Sequence, residues 1–307
     1  MSETPVSPDF HAAWARAAER VGGQSWPASA LYVVATPIGN MADLSLRAWQ
    51  TLARCDVIAA EDTRSSRILL DAWGITTPLM PAHRHNEAQA AQRVLERLAA
   101  GERVALISDA GAPGVSDPGA RVVRSVRDAG FLVVAIPGAS AVITALMASG
   151  ATSDENPAFV FAGFAPSKTT ARQKWLRQWC AVQAPVVLYE SPHRLSAAVR
   201  DLLEVCGPDR LLTIARELTK RFEQVVTLPL SQVGDWLAED SHRTQGEFVL
   251  IVHEPPPRES EGLDAGADVL LDALLEVLSV RDAARVAAKA TGLSRDALYA
   301  RALDRSR

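Results

Sequence analysis

Residues 103–123, RVALISDAGAPGVSDPGARVV, constrain the fold more than any other stretch of the chain. They open on an apolar, β-branched run at 104–107, the length of a buried strand. The run stops at Ser108-Asp109 and gives way to a loop carrying Gly111, Pro113, Gly114, Pro118 and Gly119. Glycine lets a backbone approach a ligand and take positive φ, while proline fixes its path. Pro118 is expected in the first turn of a helix over 120–129, which Gly130 closes. Strand, glycine-rich loop, helix is the order in which open α/β sheets hold ligands at the carboxyl ends of their strands. The loop fits neither G-x-G-x-x-G nor G-x-x-x-x-G-K-[ST], so dinucleotide-binding and P-loop readings have no support. A plain turn is the alternative, and the neighbouring segments must decide.

The same rhythm recurs along the chain. Strands are expected at 31–35, 57–60, 104–107 and 131–136, with helices after Ser45, Ser65, Glu87, Pro118 and Ser140. Alternation of this kind predicts a largely parallel α/β sheet over 31–150. The polar break ATSDENP at 151–157 marks a boundary, and 151–253 forms a second α/β domain. Its strands are 159–162, 185–189 and 211–215, followed by 225–228 and 247–252 in antiparallel pairing. Residues 1–30 are expected to be a mobile extension with a helical turn or two. The proline- and charge-rich stretch 253–263 reads as a linker. Beyond it, 264–307 predicts a small helical module, with a stripe of Val269, Leu270, Ala273, Leu274, Val277 and Leu278 and a helix-turn-helix around Gly292.

Composition narrows the class. The formal charge is −4, so nucleic-acid binding would need a local basic patch rather than a global field. Cys55, Cys180 and Cys206 lie far apart without CxxC spacing, which predicts neither a metal site nor a disulfide framework and suits a reduced cytosol. No apolar run is long enough to span a membrane, and the N-terminus lacks a signal-peptide core. A soluble cytoplasmic protein is the expectation.

The strands end in TPIGN, EDTR, SDAGAP, PGAS, ESPHR and ARELTK. Polar, glycine and proline residues at successive strand ends would converge on one edge, where such sheets bind ligands. Together with AAEDTR, IPGASAVITAL, FAGFAPSK, LYESPHRL and QGEFVLIV, in fixed order over 31–253, these motifs resemble the ribosomal RNA small subunit methyltransferase I family. The resemblance implies the tetrapyrrole methylase type of fold, with two α/β domains around an interdomain cleft, S-adenosylmethionine as cofactor, and a homodimer. It implies methylation of a cytidine ribose 2′-hydroxyl in small-subunit (16S) rRNA, free or in the assembled 30S subunit. The chain departs from the family at Ala112-Pro113-Gly114-Val115-Ser116, where relatives more often carry Thr-Pro-Leu-Ile-Asn.

Candidate residues follow from the strand ends. Asp109 suits a sulfonium-bearing cofactor through its carboxylate, with an Asx turn as the alternative. Ala110, Gly111 and Ala112 offer backbone beside it. Ser140 and Ala141, at a helix start, can receive a carboxylate on free N–H groups, or merely cap the helix. Ile38, Tyr189, Ala215, Gly246 and Glu247 match family positions near the adenosyl group. For removal of the hydroxyl proton the candidates are Glu61, Asp62, Glu190 and Lys220, with His85, His193 and Glu217 behind them. For phosphate the candidates are Arg64, Arg194 and Arg216. Lys168 and Arg172, in a basic run with Trp175 and Trp179, and Arg285, Lys289 and Arg295 of the tail complete the RNA set. Two other readings stay open: a methylase of tetrapyrroles or other small molecules on the same fold, and a nucleic-acid-binding regulator built on the helix-turn-helix.

Overall fold

In the computed structural model, residues 9–83, 86–255 and 261–305 are described, and the chain divides into two compact units, Met1–Glu254 and Pro255–Arg307. The first unit begins with α1 (Asp9–Gly22), β1 (Ala30–Val34), α2 (Leu46–Arg54), β2 (Val57–Ala60), α3 (Thr63–Ala72) and β3 (Leu79–Pro81). It continues with α4 (Glu87–Ala99), β4 (Arg103–Ile107), α5 (Ala120–Asp128), β5 (Leu132–Ile136) and α6 (Ala141–Ser149). These five strands pair in the order β3-β2-β4-β1-β5, all parallel. Side-chain alternation along the strands builds two layers. Tyr32, Val34, Ile58 and Ala105 pack with α2 and Leu70 of α3, while Leu31, Val57, Val104 and Leu106 pack with α4 and α5.

The second sheet follows through β6 (Val160–Phe164), α7 (Thr169–Trp179), β7 (Val186–Glu190), α8 (Leu195–Cys206), β8 (Leu211–Arg216), β9 (Gln224–Pro229), α9 (Leu230–Glu239) and β10 (Phe248–Val252). The order is β6-β7-β10-β8-β9, with β6 and β7 parallel and the remaining pairs antiparallel. One face packs on α7, α8 and α9. The other face, through Val187, Ala215, Val249 and Ile251, packs on Val142 and Ala145 of α6 and on Ile38. A helix from the first half thus closes the core of the second half, so the two sheets share apolar contacts.

Several local expectations are corrected. The N-terminal segment holds a four-turn helix, not a turn or two. It is held by Gln50, whose Nε2 donates to Ala18 O at 2.7 Å, and is followed by Trp26, whose ring packs on the first core beneath the Arg54 guanidinium. Residues 1–8 lie outside the described part. Pro118 falls just outside α5, whose N-cap is Gly119 at φ +127°. The free N–H groups of Gly119 and Arg121 are taken by Glu87 Oε1 of α4 at 2.9 and 3.0 Å. The cap is therefore supplied from another helix, which a local pattern does not reveal.

The second unit consists of α10 (Glu261–Leu275), α11 (Val280–Thr291) and α12 (Arg295–Arg305). Its core is Ala267, Leu271, Ala283, Ala284, Ala287, Leu298 and Ala302. Ser279 caps α11, and Gly292 ends it in the left-handed region at φ +74°. Of the expected stripe, Leu270 and Leu274 pack against this core, whereas Val269 lies off the face that Ala267 and Leu271 turn inward and Val277 lies beyond the end of α10, and these two are 72% and 77% exposed. Helix α10 also starts inside the stretch read as linker, of which 256–260 lie outside the described residues.

Candidate active site

The parallel first sheet sends every strand's carboxyl end to one edge. In the second sheet β10 runs against β7 and β8, and Phe248 pairs with both Glu190 and Arg216. The start of β10, Gly246-Glu247, therefore lies level with the ends of β7 and β8. A cavity of about 350 Å³ forms where the ends of β1, β4, β5, β7 and β8 meet that start. This volume is in the range of small-molecule sites.

The first sheet contributes Ile38, Ala110, Gly111, Ala112, Ser140 and Ala141 to its wall, and the second Tyr189, Glu190, Ala215, Gly246 and Glu247. Thr36, 1% exposed, sets the position of the glycine loop. Its N–H and carbonyl form a two-way bridge with Gly111, at 2.9 and 3.0 Å, and its hydroxyl donates to Ser108 O at 3.2 Å. Gly111 sits at φ +76°, and a Cβ there would come within 3.4 Å of Ile38 Cγ2. Ser140 stands at the N-cap of α6 with no side-chain cap bond, which leaves its hydroxyl and the first-turn N–H groups able to take an anionic group. Ile38, Ala215, Leu218 and Val249 make an apolar wall opposite.

Tyr189 packs edge-on against Phe161 and Phe164, with ring centroids 4.9 and 5.4 Å away. Burial, reinforced by the charge of Asp117, pushes its phenol up to about 12, so it remains a hydrogen-bond donor throughout the neutral range. The wall also includes Val115, Asp117, Phe164, Ser191, Pro192 and Phe248, which the sequence reading did not single out. Phe164, Ser191 and Pro192 lie inside the FAGFAPSK and ESPHR motifs, so strand-end position was the available clue. Ala112 and Val115, from the segment that departs from the family pattern, both face the cavity.

Other candidates lie elsewhere or are otherwise engaged. Asp109 is exposed and absent from the wall; its Oδ1 accepts the Asp62 N–H at 3.0 Å, tying the end of β4 to that of β2. Asp62 is the N-cap of α3, accepting from Arg64 and Ser65 N–H groups. Those bonds, with the bond from Arg64 Nη2 at 3.5 Å, hold its carboxyl below the usual range, which makes it a cap and a poor base. Glu61 and Arg64 share this β2 edge, beyond β4 from the cavity, and neither lines it. Lys220 Nζ bonds Glu217 Oε1 at 2.8 Å and Glu247 Oε2 at 2.7 Å. Burial lowers its pKa but the two carboxylates outweigh this and raise it, which favours the charged form of Lys220 over a free amine. Its stem fills the space a side chain at Gly39 would need. Among the described proton-transfer candidates, only Glu190 lines the cavity. It is 3% exposed, accepts from Ser191 N at 2.8 Å and faces the Arg194 guanidinium at 3.2 Å. His85 lies outside the described residues.

The phosphate candidates are also revised. Arg172 is 2% exposed and paired with Asp201 at 2.5 Å, inside the contact of α7 with α8. Arg216, 9% exposed, donates to the carbonyls of Gln245 and Phe222. Both are structural. Arg194 bonds the Ala165 carbonyl as well as Glu190. Lys168 is exposed at the start of α7. In the helical unit Arg301 and Arg305 pair with Asp268 and Asp272, and Arg285 pairs with Asp282. Lys289 and Arg295 are exposed.

The family model of the Tetrapyrrole (Corrin/Porphyrin) Methylases matches residues 30–234, and that of the RsmI C-terminal HTH domain matches 261–306. A protein of Pseudomonas aeruginosa named ribosomal RNA small subunit methyltransferase I is 44% identical over 279 residues, covering 91% of this chain and 98% of that protein. The chain belongs to this family. Its namesake in Mesorhizobium japonicum is 45% identical over 90% of this chain and 92% of its own length. Among solved structures, diphthine synthase superposes with TM-score 0.56 at 13% identity, over 73% of this chain and 89% of that one. Uroporphyrin-III C-methyl transferase from Thermus thermophilus, complexed with S-adenyl homocysteine, superposes with TM-score 0.52 at 18% identity, over 73% and 96%. These two establish likeness of fold alone.

Proposed function

We propose that this family member methylates a cytidine ribose 2′-hydroxyl of 16S rRNA, with S-adenosylmethionine bound in the cavity between the two sheets. The observation that carries this reading is the cavity wall: both sheets contribute, and its chemistry suits such a cofactor. The N–H groups at the start of α6, with Ser140, would take a carboxylate. Ile38, Ala215, Leu218 and Val249 would face the apolar part, and the Gly111 backbone permits close approach. The bound cofactor supplies a methyl group activated by a sulfonium. Glu190, at the wall, would receive the 2′-hydroxyl proton on a carboxylate oxygen that Ser191 and Arg194 hold in place. Positioning by the two sheet ends would carry much of the rate.

Among the described residues no helix is long and apolar enough to cross a membrane, which accords with a cytoplasmic substrate. A homodimer belongs to the same reading. Ile143 and Met147, one turn apart on α6, are 47% and 82% exposed and offer an apolar face to a second copy.

The test is transfer of labelled methyl from S-adenosylmethionine to unmethylated small-subunit particles, followed by nuclease mapping of the label. Label on a cytidine ribose is expected, and label on a base, or none, would overturn the assignment. Glu190→Gln should lower the transfer rate at least tenfold while cofactor affinity stays unchanged, the signature of a group acting in the transition state.

A further inference from the structure

The tail, the expected source of basic charge, spends much of it on itself: Arg285, Arg301 and Arg305 are bound to aspartates of their own unit. Helix α5 differs. Arg121, Arg124 and Arg127 are exposed at successive i, i+3 positions, and among the described residues none has an ion pair within 4.0 Å. Val122 and Val126 bury the opposite side of α5 in the layer shared with α4. Asp128 is the helix's one acidic residue; it stands four residues after Arg124 without pairing to it. On α4, packed beside α5, Arg93 is likewise exposed and without an ion pair among the described residues, whereas Arg97 is held by Glu102. Like charges three or four apart cost a helix stability. Three on one helix, uncompensated, suggest a role outside the fold.

Position supplies that role. Helix α5 begins where the 108–119 loop ends, and that loop gives Ala110, Gly111, Ala112, Val115 and Asp117 to the cavity wall. From Arg121 to Arg127 the helix rises about 9 Å at about 1.5 Å per residue, so the charges lead away from the cavity edge. The amide of Arg121 is occupied by Glu87, but its guanidinium is not. We propose that the outer face of α5, with Arg93 of α4, is a docking surface for the phosphate backbone of the substrate RNA, holding the strand whose target nucleotide enters the cavity. Arginine forks suit phosphate oxygens, and contacts of this kind position a nucleic acid without reading its bases. The inference rests on the rRNA-methylation reading above.

The experiment compares the intact protein, the triple variant Arg121→Gln/Arg124→Gln/Arg127→Gln, the matching Arg→Lys triple, and Arg16→Gln/Arg20→Gln on α1. Helix α1 packs on α2, which lies on the opposite face of the first sheet, so the last variant controls for loss of charge alone. Binding of a single-stranded RNA oligonucleotide is titrated against salt, and KM for small-subunit particles is measured. Loss of three phosphate contacts at about 0.7 each should reduce the salt slope by about 2 in the Gln triple. KM for particles should rise about tenfold or more, with S-adenosylmethionine affinity unchanged and the Lys triple close to the intact protein. An unchanged slope and KM in the Gln triple, or an equal change in the α1 control, would overturn the surface. If the intact protein labels no particle at all, the methylation reading fails, and the oligonucleotide slope still decides whether α5 binds RNA.

Discussion

Lys220 shows how one side chain is claimed by its surroundings. It bridges Glu217 and Glu247 across the mouth of the second sheet, next to Gly246, whose φ of +97° leaves room only for the Glu217 stem, 2.6 Å from where a Cβ would stand. Burial pushes the Glu217 carboxyl up, but the Lys220 ammonium and the Glu247 N–H bring it below the usual 4.5; the Lys220 ammonium is raised above 10.5. A depressed carboxyl stabilises the fold above its unfolded pKa and loses that contribution as pH falls through the folded value. A raised ammonium stabilises below its unfolded pKa and loses it as pH climbs through the folded value. Lys220→Met should therefore cost a constant amount, about 1 kcal/mol for this partly exposed cluster, between roughly pH 5 and pH 10. The difference should shrink on either side. Urea unfolding of both proteins across pH would show it, and a difference flat to pH 3 would rule the linkage out. Strand ends pointed to Ala110, Gly111, Ala112, Ser140, Ala141 and Glu190 of the cavity wall, since PGAS, ESPHR and the glycines of SDAGAP sit where a sheet presents them, while Ile38, Tyr189, Ala215, Gly246 and Glu247 came from the family resemblance. Asp109 was misleading for a physical reason: its backbone belongs to the cavity loop, yet its side chain turns to the N–H of Asp62, a contact 47 residues away in sequence.

Among elements, α7 shows what a helical pattern conceals. Its basic run reads as a surface, but the turn that buries Leu176 also buries Arg172, whose partner Asp201 lies on α8. No periodicity distinguishes a buried arginine from an exposed one until the partner is known. Removing one member leaves an uncompensated buried charge, so Arg172→Met should cost about 3–5 kcal/mol. Replacing both, Arg172→Met with Asp201→Leu, should recover most of that loss, because the pair's desolvation cost disappears with it. Chemical denaturation of the two variants checks this; a double variant no more stable than the single one would mean the pair is not isolated. Gln173 complicates the replacement slightly, as its Nε2 also reaches Asp201 Oδ1 at 3.1 Å. The strands were easier to read than the helices, since runs such as VIAA and FVLIV are short, wholly apolar and bounded by polar or turn residues, as strands buried on both faces are. Helix α1 was underestimated although its Ala- and Arg-rich sequence favours a helix, and Gln50 of α2 anchors it through the Ala18 carbonyl.

At the scale of the whole molecule the question is what the helical unit adds to the body. The break at Glu254 separates two units, each with its own apolar core: the body keeps both sheets and α6, while the small unit buries Ala267, Leu271, Ala284 and Leu298 among its own helices. Cutting after Glu254 removes no strand and no residue of the cavity wall. The truncated body should therefore fold and bind S-adenosylmethionine with unchanged affinity, which calorimetry and thermal melting can establish. Its RNA contacts should weaken less than the arginine count of the tail suggests, because Arg285, Arg301 and Arg305 are already paired within that unit. Arg281, Lys289 and Arg295 are the exposed cations there without an ion pair among the described residues. At about 0.7 per phosphate, the loss of these three should reduce the salt slope by about 2. Titrating the truncated protein beside the α5 variant separates the two contributions. Slopes that fall together when both changes are combined would mean independent contacts on one RNA. A truncated protein with no remaining salt dependence would place the RNA surface in the tail after all.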